Sequence, residues 1–201
     1  MFRKLVAILA ITLACATGAA VLSDAGAQDQ APPGAPTVHP GTKLNFAPSL
    51  GGFQLFASGV QGSPANRADL SYNYRYVTPQ KLQIDVNVYD NGRRVPNGSD
   101  NPTVLQRFAV EIDSVEQQVK SAGYTDFERQ VVASNCSFGV VTFRCATLSA
   151  RTPLGRIYAK LLLTGYRDNF LKIRIDWSQA ANQTAADANR ALEAFITALI
   201  H

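Results

Sequence analysis

The sequence predicts an α+β domain: an antiparallel sheet of six to seven strands flanked by two helices, in the order strand, strand, strand, helix, four strands, helix. Three observations lead there. Apolar and polar residues alternate strictly through residues 82–89 and again through 171–177, the period of a half-buried strand. Residues 102–122 and 184–200 instead place apolar side chains three and four apart, the period of an amphipathic helix. Gly, Pro, Asn and Asp clusters separate these runs at hairpin-like intervals.

From the N-terminus, Arg3 and Lys4 precede a run from Leu5 to about Leu22 that is almost wholly apolar or small. Ala25-Gly26-Ala27 follows as a small-x-small site, so a secretory signal cleaved after Ala27 is expected. Thr12, Thr17 and Gly18 dilute the run below the roughly 20 strongly apolar residues that a retained span needs. Cys15 is read as a small apolar residue of that signal and not as a lipidation site, since Thr12 stands where a lipoprotein signal carries leucine. Loss of residues 1–27 leaves 17 Lys and Arg against 14 Asp and Glu, a net charge of +3. So mild a charge, with scattered arginines, argues against nucleic acid and allows only weak contact with an anionic membrane surface. Residues 28–43, QDQAPPGAPTVHPGTK, carry four prolines and no apolar period, which predicts a flexible linker. Residues 44–201 then form one domain.

Within it, GFQLFASGV reads as the first strand and ADLSYNYRYV as the second. In KLQIDVNVYD, Leu82, Ile84, Val86 and Val88 face inward, with Gln83, Asp85, Asn87 and Tyr89 outward. Asn101 is a good N-cap, Pro102 suits the first helical position and Gly123 marks the stop. The helix between them buries Leu105, Phe108, Ile112, Val115, Val119 and Ala122, leaving Glu111 among its polar residues. Four strands over 127–134, 140–150, 156–166 and 169–177 follow. In the last, Leu171, Ile173, Ile175 and Trp177 face one way, and Lys172, Arg174 and Asp176 the other. Thr184 and Asp187 then form a capping box for a closing helix that buries Leu192, Phe195, Ile196 and Leu199.

Cys136 and Cys145 are expected to form a disulfide. Exported space oxidises an even pair, and the eight intervening residues are not a redox Cys-x-x-Cys. The histidines, His39 in the Pro-rich tail and His201 at the end, supply no zinc partner. Closing this short loop stabilises the fold by roughly 2–3 kcal/mol.

Histidine-dependent catalysis is disfavoured because both histidines sit at chain ends. No G-x-S-x-G, P-loop, H-E-x-x-H or G-x-G-x-x-G run occurs, and neither metal nor cofactor is expected. Carboxylate chemistry stays open through Asp85, Asp90, Asp168 and Asp176, although Asp168 also suits a turn and Asp176 a solvated outer face. Two places are candidate binding surfaces. Tyr72, Tyr74 and Tyr76 lie on one strand face, either as a contact strip or as core. Arg93 and Arg94 sit side by side in the polar loop of residues 90–102, either as a carboxylate grip or as a solvated tip.

The element order, with GGFQLF, VYDNG and GYRDNFLKIRIDW, resembles small exported bacterial proteins whose architecture is similar to the PsbP-like fold. The resemblance spans residues 44–200 and implies a sheet sandwiched by helices and a non-enzymatic accessory role, with no site residue carried over. The expected function is therefore a periplasmic, non-catalytic domain contacting an envelope protein or polymer. A carboxylate-based hydrolase of envelope polymer is the alternative.

Overall fold

A computed structural model describes residues 29–30, 37–63 and 66–200. The signal, Ala27, Cys15 and His201 lie outside the described residues. Seven long strands and two helices make up most of the fold: β5 (Phe53–Ser63), β6 (Asn66–Val77), β7 (Gln83–Tyr89), α1 (Pro102–Ser121), β8 (Thr125–Phe138), β9 (Val141–Thr152), β10 (Gly155–Tyr166), β11 (Asn169–Ser178) and α2 (Ala185–Ile200). Before them come β1 (Asp29–Gln30), β2 (Thr37–Val38), β3 (Asn45–Phe46) and β4 (Ser49–Leu50). The main sheet thus has nine strands, not six or seven, in the order β1-β5-β6-β7-β11-β10-β9-β8 with β4 also on β5; β2 and β3 form a separate ribbon. Strands of two residues carry no readable period, which is why the sequence count falls short.

Every strand pair is antiparallel. The chain runs outward-in through β5, β6 and β7, crosses along α1 to the far edge, and returns through β8, β9 and β10 until β11 pairs with β7. Alternation then generates two cores, one per face. On one face Ile84, Val86, Val88, Leu171, Ile173 and Ile175 meet Leu192, Phe195, Ile196 and Leu199 of α2. On the other, Phe108, Ile112, Val115 and Val119 of α1 pack on Leu148, Leu161, Leu163 and Phe170. Helix α2 touches β4 at one side of the sheet and β8 at the other, so the sheet curls round it.

The caps behave as their chemistry requires. Asn101 Oδ1 accepts from Val104 N at 2.9 Å, and Gly123 leaves α1 at φ 71°. Asp187 N donates to Thr184 Oγ1, and Thr184 donates back to the Asp187 carboxylate. Two α1 assignments change. Leu105 is 39 % exposed while Val104 takes the buried position, and Glu111 is buried because its carboxylate is drawn to cations beneath the helix.

The tyrosine row belongs to the core. Tyr74 and Tyr76 are buried and Tyr72 partly so, which removes the row as an exposed contact strip. The cover comes from residues 39–50 and α2: His39 meets Tyr72 edge-on, Phe46 stacks on Tyr74, and Phe195 packs on Tyr76. Tyr76 donates its hydroxyl to Ala47 O at 2.9 Å. The linker boundary moves for the same reason. His39 is 2 % exposed, and its Nδ1 accepts from Thr42 N at 2.9 Å, with Gly41 N at 3.2 Å. Residues 37–43 are part of the fold, not of a tether.

Cys136 and Cys145 form the expected disulfide, with Cα atoms 6.1 Å apart. They lie within the strands, not at their connection: Cys136 is opposite Phe143 and Cys145 opposite Ser134, and the turn falls at Gly139 and Val140. The bond ties edge strand β8 to β9 diagonally, next to a register shift between Val131 and Ser134.

Two measurements follow. Reduction, or Cys136→Ser with Cys145→Ser, should cost about 2–3 kcal/mol, or roughly 5–10 °C in melting midpoint for a domain of this size. An unchanged midpoint would dismiss the staple. Burial holds His39 down at about 4 from 6.5, with Lys43 helping and Asp90 opposing. An unfolded chain therefore binds the proton first, so stability should fall as pH drops from about 6.5 to about 4, by some 3 kcal/mol. Urea unfolding of wild type and His39→Gln across that window checks it: the wild-type loss should be absent from the variant.

Candidate functional site

The alternation that buries Ile84 and Ile175 turns Asp85, Asn87, Lys172 and Arg174 toward the α1 side of the two central strands. Strand register then lines them up. Arg75 of β6 is opposite Asp85 of β7, which is opposite Arg174 of β11. One step along, Asn73, Asn87 and Lys172 make a second row. Because α1 lies over β8, β9 and β10, it covers only part of this face. Between its Glu111, Ser114 and Gln118 and the two polar rows opens a cavity of about 60 Å³, room for roughly four or five waters.

Its walls are ion pairs. Arg75 Nε donates to Asp85 Oδ1 at 2.7 Å, and Arg174 Nη2 to Asp85 Oδ2 at 3.3 Å. Gln83 Nε2 also reaches Asp85 Oδ2, at 2.9 Å. Across the cleft, Lys172 Nζ donates to Glu111 Oε2 at 3.0 Å, while Tyr89 donates its hydroxyl to Glu111 Oε1 at 2.8 Å. Arg107 bridges to Glu111 from the next helical turn. Desolvation pushes the Glu111 carboxyl up, but Lys172 and Arg107 outweigh it and hold it below its usual range. Asn87 Nδ2 donates to Asn73 Oδ1 beside these pairs.

Behind Arg174 sits Asp176, whose Oδ2 accepts from Arg174 Nε at 3.1 Å. Read from sequence as a solvated outer residue, it is instead desolvated: burial pushes its carboxyl up to about 6, Asp85 adds to the rise, and Arg174 and Arg75 oppose it. Two of the four candidate aspartates, Asp85 and Asp176, thus converge on one guanidinium. The other two serve turns. Asp90 Oδ1 accepts from Gly92 N, and Asp168 O accepts from Val95 N.

The loop bearing Arg93 and Arg94 lies elsewhere, at the end of the sheet, and it is held down. Gly98 and Gly165 exchange both backbone hydrogen bonds, and Asn97 Oδ1 accepts from Arg167 N at 2.7 Å. A Cβ on Gly165 would stand 1.8 Å from Pro96 O, so only glycine admits this contact. Arg93 is exposed, and Arg94 is 89 % exposed at 3.7 Å from Asp168, a pair too solvated to add much stability. Arg167, whose Nη1 donates to Thr42 O, makes this end basic.

Among the described residues no group of three or more His, Cys, Asp or Glu is placed to hold a metal. No helix among them is long and apolar enough to cross a membrane. Comparison with protein-family models and with curated proteins finds no match. Sequence reasoning singled out Asp85 and Asp176 here but not Arg75, Lys172, Arg174 or Glu111. The available signal was charge at consecutive outward positions of two cleanly alternating strands; what was missing was that those strands are neighbours.

Asp176 provides the check on this electrostatic account. Its raised value means the folded state binds the proton first, so the ionised carboxylate costs stability above about pH 6 and the cost is relieved as pH falls. Asp176→Asn should gain about 2 kcal/mol at pH 7.5 and little at pH 4.5. A gain that is the same at both pH values would contradict it.

Proposed function

We propose that the chain is an exported, non-catalytic binding domain that contacts an envelope protein or polymer through the cleft beside α1. The observation that carries this is the cleft itself: Arg75, Asp85 and Arg174 paired across three adjacent strands, facing Lys172 and Glu111, around a solvent-accessible cavity. Charged groups held on a rigid sheet are oriented before any ligand arrives, which lowers the ordering cost of binding. The signal-like N-terminus and the disulfide support export, and the PsbP-like resemblance supports an accessory role. Arg93 and Arg94, exposed on a pinned loop, are a second contact for an acidic partner surface.

The test presents immobilised protein to purified envelope polymer and solubilised envelope proteins. Ser114→Trp, at the mouth of the cleft, should abolish recovery of the partner without lowering the melting midpoint. Arg93→Glu with Arg94→Glu should weaken it and raise its salt sensitivity. Recovery untouched by both changes would end the proposal.

The convergence of Asp85 and Asp176 on Arg174 favours a second reading, a carboxylate-based hydrolase of envelope polymer with Asp176 as acid. Turnover lost in both Asp85→Asn and Asp176→Asn would support it. Turnover indifferent to either residue would dismiss it.

A further inference from the structure

Cations and carboxylates in the cleft do not balance. Arg75, Lys172 and Arg174 line it against Asp85 and Glu111, three positive charges to two negative. Behind them, Arg107 and Asp176 cancel. Hydrogen-bond capacity is skewed the same way. Arg75 gives its Nε to Asp85, and its Nη groups meet no acceptor among the described residues; Lys172 gives one of its three N–H groups, to Glu111. Ser114 adds a hydroxyl at the rim. A cleft with surplus donors and one surplus positive charge matches a monoanion rich in acceptors.

We infer that the cleft takes a single carboxylate group, presented either by a peptide C-terminus or by an acidic sugar, between Arg75 and Lys172. This rests on the cleft being the binding site of the domain. Charge decides between anions: a dianionic phosphate would exceed the single surplus charge and meet Asp85 and Glu111, each already within 2.7–3.3 Å of the same cations. Size decides how much enters. About 60 Å³ admits a carboxylate and a short stem, while the rest of the ligand stays outside over Ser114 and Gln61.

The test follows the Arg75 side chain and the Asn73 and Asn87 amides by ¹⁵N–¹H NMR of the exported protein. N-acetylglycine, glucuronate, neutral N-acetylglycinamide and inorganic phosphate are titrated separately. Both carboxylates, or the one that matches the natural source, should shift those signals and bind about tenfold or more tighter than the amide, the value of one charge-assisted hydrogen bond. Arg75→Gln and Lys172→Gln should each remove that advantage while leaving binding of the amide unchanged. If Arg75→Gln does not fold, Lys172→Gln decides alone. Equal binding of amide and carboxylate, or tighter binding of phosphate, overturns the inference and spares the cleft. Silence of every probe also overturns it, and the cleft falls too if Ser114→Trp leaves partner recovery intact.

Discussion

The pairing of β7 with β11 is the constraint on which the molecule depends. Seven residue pairs, from Phe170 opposite Tyr89 to Asp176 opposite Gln83, join two stretches of chain separated by α1 and three strands. Without it there are two independent meanders, each exposing an apolar face. With it, Ile84, Val86, Val88, Leu171, Ile173 and Ile175 form one continuous surface for α2. Burying side chains of this size contributes about 1.5–3 kcal/mol each before conformational entropy is subtracted. The same register stacks Arg174 on Asp85 on the opposite face, so the core and the polar cleft have one origin.

That polar array is a poor source of stability and a good source of specificity. Taking ions out of water costs more than an isolated pair returns, and only dense hydrogen bonding repays it. Asp85 meets this condition by accepting from Arg75, Arg174 and Gln83. Asp176 meets it incompletely, as its raised protonation range shows. Apolar residues would pack at these positions at lower cost. A slip of one residue between the central strands would expose the α2 surface and bury unpaired charge together, so the array penalises every register but one.

The periphery is tied down by contacts between distant segments. Residues 39–50 close over the tyrosine row through His39, Phe46 and the carbonyl of Ala47. The polar loop after β7 is clamped to the β10–β11 turn through Gly98 and Gly165. Bulges interrupt β5–β6 and β8–β9, the outer hairpins, and leave the central strands regular. Bulges at sheet margins increase twist and blunt edge pairing. Regular geometry is thus concentrated where the charged rows require it.

Period and cap chemistry are local, and what they govern was legible in the chain: the α+β class, the two helices with Asn101 and Thr184 at their starts, the alternation of 82–89 and 171–177, and the cysteine pair. Two-residue strands, the burial of His39, and the folding of residues 37–43 were not legible, because each depends on a partner far along the chain. The same holds for Tyr74, whose period was plain but whose cover, Phe46, belongs to a segment with none. At the cleft, composition placed Asp85 and Arg174 outward on their strands, yet only tertiary structure set them side by side. Sequence alone determined which face each side chain takes, since that follows from backbone geometry over a few residues. The fold decided whether that face meets water, a helix or an opposite charge, because burial and Coulomb energy depend on distances in space that local spacing does not encode.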